Sequence, residues 1–229
     1  MASSSLSWQT KPTDRFILRW IKRHLSALMT PHLARVPGLA PWMVTVTSAA
    51  LGVLAGFVFG LGWGFTAGCL AAVAQVLDGV DGQLARLKGT ETAWGAFWDS
   101  TLDRYADGAM LVGMGVYVAR EVPCIPLGVL IPLGAAAVIG CGLISYTTAR
   151  AESLALDLGP PTLVSKGTRT TLMILSAWTT VFWKGAPVIA LVVLAVWTNA
   201  VVAQRLRRVK DKGRPLSPKG GASDNDAKE

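Results

Sequence analysis

The chain has 229 residues, of which 52% are hydrophobic and 16% are charged, whereas soluble domains usually carry about a quarter charged residues. This composition excludes an ordinary soluble domain and predicts a membrane protein, with room for about six spanning helices of roughly 20 apolar residues. The 22 basic and 14 acidic residues give a net charge of +8. Because the basic residues lie at the ends of apolar runs and in the two tails, we expect anionic lipid and no nucleic acid as the partner of this charge.

The N-terminal region, residues 1–36, is predicted to contain a polar tail at 1–12 and an amphipathic helix over 13–36. In the helix, apolar residues recur at helical spacing with cations between them. These apolar residues are Phe16, Ile17, Trp20, Ile21 and Leu25. The pattern favours a helix that lies in the membrane interface, and an ordinary surface helix is the alternative.

Six long apolar segments follow, and together they predict a transmembrane bundle over residues 37–208. The segments are 42–61, 63–87, 93–119, 124–150, 167–183 and 186–205. Gly, Pro or charged residues interrupt the apolar sequence between them. The last stretch, 209–229, is rich in charge, Gly, Pro and Ser and is predicted to be a disordered cytoplasmic tail.

The loops predict the orientation of the bundle in the membrane. Most Lys and Arg residues lie in the N-terminal segment, the 86–92 turn, the 150–169 stretch and the tail after Arg205. The positive-inside bias therefore predicts a multi-pass protein with an even number of spans and with both termini in the cytoplasm.

Four aspartates flank the short 86–92 turn. Asp78 and Asp81 are three residues apart at the end of the second segment, and Asp99 and Asp103 are four apart early in the third. Both spacings place the paired carboxylates on one helical face. Since a short turn makes the two helices antiparallel neighbours, we expect all four carboxylates to face one cavity on the cytoplasmic side.

Such a cluster needs a counter-charge, because buried carboxylates are costly near a membrane and like charges repel. Oxygen-only ligands favour Mg²⁺ or Mn²⁺ over zinc or copper, and carboxylates shared between two ions suit phosphoryl-group displacement. Small residues within a turn of the aspartates would let a substrate or a second helix approach closely. They are Gly79, Gly82, Ala85 and Gly95. Arg86 follows, where a guanidinium can pair with an aspartate or meet a phosphate.

The spacing of these residues resembles the signature of the CDP-alcohol phosphotransferase family. It runs Asp78-x-x-Asp81-Gly82-x-x-Ala85-Arg86, then eight residues, then Gly95-x-x-x-Asp99-x-x-x-Asp103. The resemblance implies an all-α membrane fold of six transmembrane helices with an N-terminal amphipathic helix, usually as a homodimer. It also implies the reaction, in which a CDP-linked alcohol gives its phospho-alcohol group to an acceptor hydroxyl and CMP leaves.

The same resemblance implies roles for individual residues. Asp78, Asp81 and Asp99 would bind metal, and Asp103 would act as the general base and as a further ligand. Residues bordering the cytidine and diphosphate would be Gly79, Gly82, Ala85, Arg86 and Gly95. Thr45 would be a nucleotide neighbour, because the family often has Pro-Asn-x-x-Thr where this chain has Pro41-Trp42-Met43-Val44-Thr45. Trp42 departs from that pattern.

The acceptor is indicated by a second resemblance, at the end of the fourth segment. The stretch Ser145-Tyr146-Thr147-Thr148-Ala149-Arg150-Ala151-Glu152 is similar to one in the phosphatidylinositol-phosphate synthases and the di-inositol-phosphate-phosphate synthases. Their acceptors carry a phosphate, for which Arg150, Lys166 and Arg169 are candidate ligands. Thr148 stands where the first branch often has Lys, and the run 102–107 favours the second branch. Membrane anchoring of Arg150 and Arg169 is the alternative.

A different class of function is also open to these residues. A divalent-cation transporter could use the carboxylates as part of an ion path. The apolar segments hold few other charged residues along a route across the bilayer, which favours the phosphotransferase. The sequence leaves open whether the donor is CDP-diacylglycerol or CDP-inositol.

Overall fold

The computed structural model describes residue 10, residues 16–158 and residues 164–211 of the chain. These described residues form helices and contain no strand. The predicted polar tail, apart from residue 10, and the predicted disordered tail beyond residue 211 lie outside the described residues.

The helices follow one another in chain order. They are α1 (Phe16–Ile21), α2 (Ala27–Ala34), α3 (Pro41–Gly60), α4 (Gly64–Lys88), α5 (Ala93–Glu121), α6 (Leu127–Ser153), α7 (Lys166–Thr179) and α8 (Ala186–Asp211), with a π-helical segment at Lys22–Ser26 between α1 and α2. Helices α3 to α8 correspond to the six predicted apolar segments. Within the predicted helix over 13–36, the described residues are helical from Phe16 to Ala34, in the run from α1 to α2.

Three helices are long and apolar enough to cross a membrane: Pro41–Gly60, Leu127–Ser153 and Ala186–Lys210. Each exposes large apolar side chains on its outer surface, among them Phe57, Ile131 and Val196. Exposed apolar surface of this extent marks a membrane or protein contact, and it supports a membrane protein. The other three of helices α3 to α8 are not among these: α4 and α5 are long but contain the four aspartates, and α7 has 14 residues.

The turn between α4 and α5 is fixed at both ends by local chemistry. Helix α4 ends at Gly89, whose φ of +62° is a left-handed conformation that glycine adopts without steric cost. Helix α5 begins after Thr92, whose side chain accepts a hydrogen bond from the Gly95 backbone N–H at 3.0 Å. The turn joins the end of α4 to the start of α5, and both helices pack against α3.

Glycines allow α3 to approach α5 closely. Gly52, Gly56 and Gly60 follow one another at four-residue intervals on α3, and they face Ala106, Ala109 and Gly113 or Val116 of α5. Small residues at this spacing let two helix backbones touch. The same contact sets the position of α5, and with it the positions of Asp99 and Asp103, relative to α3.

The N-terminal segment is attached to α4 by buried hydrogen bonds. Ser26 Oγ donates to the Val76 carbonyl at 2.8 Å, and Thr30 Oγ1 donates to Gln83 Oε1 at 2.7 Å. Gln83 Nε2 in turn donates to the Lys22 carbonyl at 2.8 Å. Since Ser26, Thr30 and Gln83 are fully buried, these bonds lie out of contact with water.

Thr30→Val is expected to lower the stability of the protein by about 1–3 kcal/mol, because it removes the Thr30–Gln83 hydrogen bond from a buried site. The measurement is the thermal unfolding midpoint of the purified protein in detergent. Thr47→Val is the matched control, since Thr47 is exposed and its hydroxyl bonds only the Met43 carbonyl of its own helix. Equal midpoints for the two variants would contradict this role of Thr30.

Candidate active site

Three carboxylates meet in the space between α4 and α5, two helices that both pack against α3 and make few contacts with each other. The prediction that α4 and α5 pack as direct neighbours is therefore wrong. Asp78 of α4 and Asp99 and Asp103 of α5 each offer an oxygen, and these oxygens lie within 4.8 Å of one another. All three side chains are half-buried. Three carboxylate oxygens at this separation suit one divalent cation. Residues within a single turn of helix would not provide such a set.

Asp81 lies on the same stretch of α4 and is 5% exposed. Its Oδ2 is buried and accepts no hydrogen bond from the part of the chain that the structure describes. A buried carboxylate oxygen that lacks a donor is costly unless a cation accompanies it. The three converging carboxylates and the nearby Asp81 offer oxygen donors alone, and oxygen donors fit Mg²⁺ or Mn²⁺.

A cavity of about 580 Å³ opens beside Asp81 and Asp99. Five of the residues predicted to border the CDP group line this cavity: Thr45, Gly82, Ala85, Arg86 and Gly95. Its volume is in the range of pockets for small-molecule ligands.

The cavity wall also contains Trp42, Trp94 and Trp98, which sequence reasoning did not assign to the site. Indole rings offer flat surfaces on which a nucleotide base can stack. Their signal in the sequence was ambiguous, because tryptophans near helix ends are equally typical of a membrane interface.

Gly79 lies outside this cavity. The position of a Cβ on Gly79 would be 3.0 Å from Ser26 Cβ and 3.1 Å from Lys22 Cγ. The missing side chain therefore admits the N-terminal segment, and the structure places no part of the cavity at Gly79.

Lys166, the first residue of α7, reaches the carboxylate cluster. Its Nζ lies 2.7 Å from Asp78 Oδ1 and 2.6 Å from Asp103 Oδ2. The sequence predicted Lys166 as a ligand of the acceptor phosphate and did not indicate this pair of contacts, because they join residues more than 60 positions apart.

The two predicted arginine ligands lie in different surroundings. Arg169 is 2% exposed, donates to the Cys141 carbonyl at 2.9 Å and lies 3.4 Å from Asp107 Oδ2. Arg150 is exposed near the end of α6. The structure therefore does not bring Arg150 and Arg169 together with Lys166 into one set of contacts.

A further cation lies close to the sequence stretch that resembles the inositol-phosphate branches. Arg205 of α8 donates from one nitrogen to the Ile144 carbonyl at 2.6 Å, to Thr147 Oγ1 at 2.8 Å and to Thr148 Oγ1 at 3.0 Å. Sequence reasoning missed Arg205, because it belongs to a run of basic residues typical of a helix end at the cytoplasmic surface.

Residues 39–204 match the family model described as CDP-alcohol phosphatidyltransferase. The chain belongs to this family. Because the matched range includes α3 to α7 and most of α8, membership covers the carboxylate cluster and the cavity together.

Curated relatives indicate which enzymes of this family the chain is similar to. The chain is 33% identical to the phosphatidylinositol phosphate synthase of Streptomyces avermitilis over 80% of its length and 76% of that protein. It is 31% identical to the enzyme of the same name from Cutibacterium acnes, over 57% of the chain and 59% of that protein. It is 32% identical to a bifunctional IPC transferase and DIPP synthase of Rubrobacter xylanophilus, over 91% of the chain and 45% of that protein.

Solved structures give the same family. The chain superposes on the phosphatidylinositol phosphate synthase of Mycobacterium tuberculosis in complex with manganese and citrate, with a TM-score of 0.73 and 27% identity over 88% of this chain and 98% of that one. A structure of the same protein with CDP-DAG bound gives a TM-score of 0.71 at 28% identity, over 81% and 93% of the two chains. Neither comparison gives support to the cation-transporter alternative.

Proposed function

We propose that this chain transfers a phospho-alcohol group from a CDP-linked donor to a hydroxyl of an acceptor, with release of CMP. The observation that carries the proposal is the meeting of Asp78, Asp99 and Asp103 within 4.8 Å beside a cavity of about 580 Å³. A cation site next to a nucleotide-sized cavity is what displacement at a diphosphate requires.

The donor is proposed to be CDP-diacylglycerol, since CDP-DAG is bound in the related structure from M. tuberculosis. Its cytidine and diphosphate would occupy the cavity lined by Thr45, Gly82, Ala85, Arg86 and Gly95. Gly82 and Gly95 leave the backbone open to the phosphates, and Arg86 offers them a guanidinium. CDP-inositol is the second donor that the family allows, and the assay below separates the two.

Asp78, Asp81 and Asp99 are proposed as metal ligands, and Asp103 as a ligand and the general base. Divalent ions, when bound to these carboxylates, would neutralise the diphosphate and the departing CMP. Asp103 would take the proton of the acceptor hydroxyl while the oxygen of that hydroxyl forms a bond to the phosphorus of the phospho-alcohol group. The bond from that phosphorus to the CMP oxygen breaks, and CMP leaves with the bonding electrons.

The acceptor is proposed to be an inositol phosphate, in line with the names of the relatives from S. avermitilis and R. xylanophilus. Lys166 lies at the carboxylate cluster, where an acceptor hydroxyl must arrive. Arg205 and the hydroxyls of Thr147 and Thr148 form a second polar group on α6 and α8. Arg150 and Arg169 remain predicted ligands that need the assay below.

Six membrane spans, α3 to α8, are proposed, with both termini and the active site on the cytoplasmic side. Basic residues accumulate at the end of the bundle that holds the site, where α4, α6 and α8 end. The opposite end has Arg120 and Lys184, of which Lys184 is paired with Glu121 at 2.7 Å. This asymmetry is the basis for the orientation.

The N-terminal run α1–α2 is proposed to lie in the membrane interface. Trp20 and Leu28 are exposed on its outer surface, with Arg19 and Arg23 also exposed. Exposed apolar and basic side chains on one helix suit the boundary between lipid tails and headgroups. A homodimer is proposed from the resemblance to the family.

The purified protein, supplied with CDP-diacylglycerol and an inositol phosphate, is expected to release CMP in the presence of Mg²⁺ or Mn²⁺. Chelation with EDTA should reduce the rate to background, because the carboxylate cluster lacks its cations. CMP is measured by chromatography, in a screen of CDP-diacylglycerol and CDP-inositol against inositol phosphate, inositol, glycerol phosphate and serine.

If no combination of donor and acceptor releases CMP at metal concentrations that saturate binding, the proposed reaction is contradicted. Product from unphosphorylated acceptors alone would retain the reaction and remove the assignment of Arg150, Lys166 and Arg169 to an acceptor phosphate. Metal flux into liposomes without CMP formation would favour the transporter.

A further inference from the structure

Lys166 connects three helices through one ammonium group. From the first turn of α7 its Nζ lies 2.7 Å from Asp78 Oδ1 on α4 and 2.6 Å from Asp103 Oδ2 on α5. The Lys166 side chain is 24% exposed, and those of Asp78 and Asp103 are 12% and 17% exposed. The two contacts are therefore short ion pairs in a mostly buried place, where a lysine is tolerated only because its charge is paired.

The ammonium of Lys166 contacts two of the carboxylates that would hold a divalent ion, those of Asp78 and Asp103. The oxygens of Asp78, Asp99 and Asp103 that converge within 4.8 Å would have to approach such an ion to about 2.1 Å. Lys166 occupies the bridging position between two of these three residues. An ammonium and a doubly charged ion repel one another strongly when both lie between the same carboxylates, so they compete for this position.

The side chain of Lys166 has a way to leave. It carries four methylene groups with rotatable bonds, and it starts at an end of a helix, next to a partly open region. A small cavity of about 50 Å³ adjoins the cluster and is lined by Lys166, Asp103, Asp107 and Thr170. The ammonium can therefore move by rotation of its own side chain while the helices stay in place.

We propose that the Lys166 ammonium and divalent ions compete for Asp78 and Asp103, so that ions binding to these carboxylates displace the ammonium and make it available to an anionic acceptor. Metal and acceptor then bind cooperatively, and each increases the affinity for the other by the same factor. The displacement rests on the ion pairs and on the metal site proposed above. The use of the displaced ammonium by a phosphorylated acceptor rests also on the function proposed above.

Trace acetylation of the wild-type protein in detergent tests the displacement directly. The protein is treated with a small amount of acetic anhydride at pH 8, with and without Mg²⁺, and the modified lysines are quantified by mass spectrometry. We expect Mg²⁺ to raise the labelling of Lys166 by about fivefold, because a larger fraction of its amine leaves the carboxylates. Lys184, paired with Glu121 at 2.7 Å at the far end of the bundle, is the internal reference and should not change.

Calorimetry supplies the second measurement. Lys166→Met is expected to bind Mn²⁺ about tenfold more tightly than the wild type, because the competing ammonium is gone. Lys184→Met is the matched control and should bind Mn²⁺ as the wild type does.

Labelling of Lys166 that stays constant or falls at Mg²⁺ concentrations where calorimetry shows the ion bound would overturn the displacement. Unchanged Mn²⁺ affinity in Lys166→Met would overturn the competition. Neither measurement uses a CDP donor or an acceptor, so a failure of the proposed transfer reaction would be seen separately, as absence of CMP release.

Discussion

Asp99→Asn is expected to lower the rate of CMP release by about a thousandfold or more, because it removes a charged ligand from the cluster on which charge neutralisation in the transition state depends. Among the described residues of the cluster, Asp99 alone has two properties together. Its carboxylate meets those of Asp78 and Asp103, and it also lines the cavity proposed for the donor. The rate is measured with saturating Mn²⁺, CDP-diacylglycerol and inositol phosphate.

Asn has nearly the shape of Asp, so Asp99→Asn should fold with the thermal midpoint of the wild type or a slightly higher one, since repulsion within the cluster falls. Glu121→Gln is the matched control. It also neutralises a carboxylate of α5, but at the far end of the helix, where Glu121 is paired with Lys184. Retention of more than about a tenth of the wild-type rate by Asp99→Asn would exclude Asp99 as a required ligand.

The apolar pattern predicted where the helices begin and end to within a few residues, with two larger differences at helix ends. The sixth segment was predicted to end at residue 205 and the disordered tail to begin at 209, whereas α8 continues to Asp211 through charged residues that hydropathy does not count as helix. The fifth segment was predicted to reach residue 183, whereas α7 ends at Thr179 and the following turn contains Val181, Phe182 and Trp183. Phe182 is 91% exposed. The charged residue and the glycine of this turn, Lys184 and Gly185, come only at its end, so hydropathy extends the helix through the apolar residues before them.

At the site, sequence reasoning was strongest where the geometry is local. The spacing of Asp78 and Asp81, and of Asp99 and Asp103, fixes which helical face each pair shares. The short turn suggested that α4 and α5 pack directly, whereas both helices pack against α3. The contacts of Lys166 with Asp78 and Asp103 depend instead on how α7 packs against α4 and α5. The residue pattern within α7 does not indicate how α7 packs against the other two helices.

The surroundings of Gly79 could likewise not be predicted from the sequence. A glycine beside a catalytic aspartate suggests room for a substrate, and the sequence could not distinguish this from room for another part of the chain. The structure places Ser26 and Lys22 against Gly79. The polar residues Ser26 and Thr30, four positions apart among apolar and basic neighbours, were the available signal that one face of the N-terminal segment is buried.

Gly113→Ala is expected to destabilise the bundle by about 2–3 kcal/mol or more, since a buried site with no free volume is overpacked. A Cβ at Gly113 would lie 3.0 Å from Gly56 Cα and closer still to the Gly56 carbonyl of α3. These are backbone atoms, which cannot rotate away as a side chain can. Helices α3 and α5 would have to separate, and α5 would carry Asp99 and Asp103 away from Asp78.

Gly115→Ala is the matched control on the same helix, because nothing lies within 4 Å of the position of its Cβ. Alanine is intrinsically better than glycine within a helix by about 1 kcal/mol, so this variant should be as stable as the wild type or more so. Both variants are compared by the fraction of protein that stays monodisperse after heating in detergent, and by CMP release. If Gly113→Ala and Gly115→Ala survive heating equally, the backbone contact between α3 and α5 does not limit stability. If Gly113→Ala loses stability and CMP release together, the glycine contact that packs the bundle also sets the position of the aspartates.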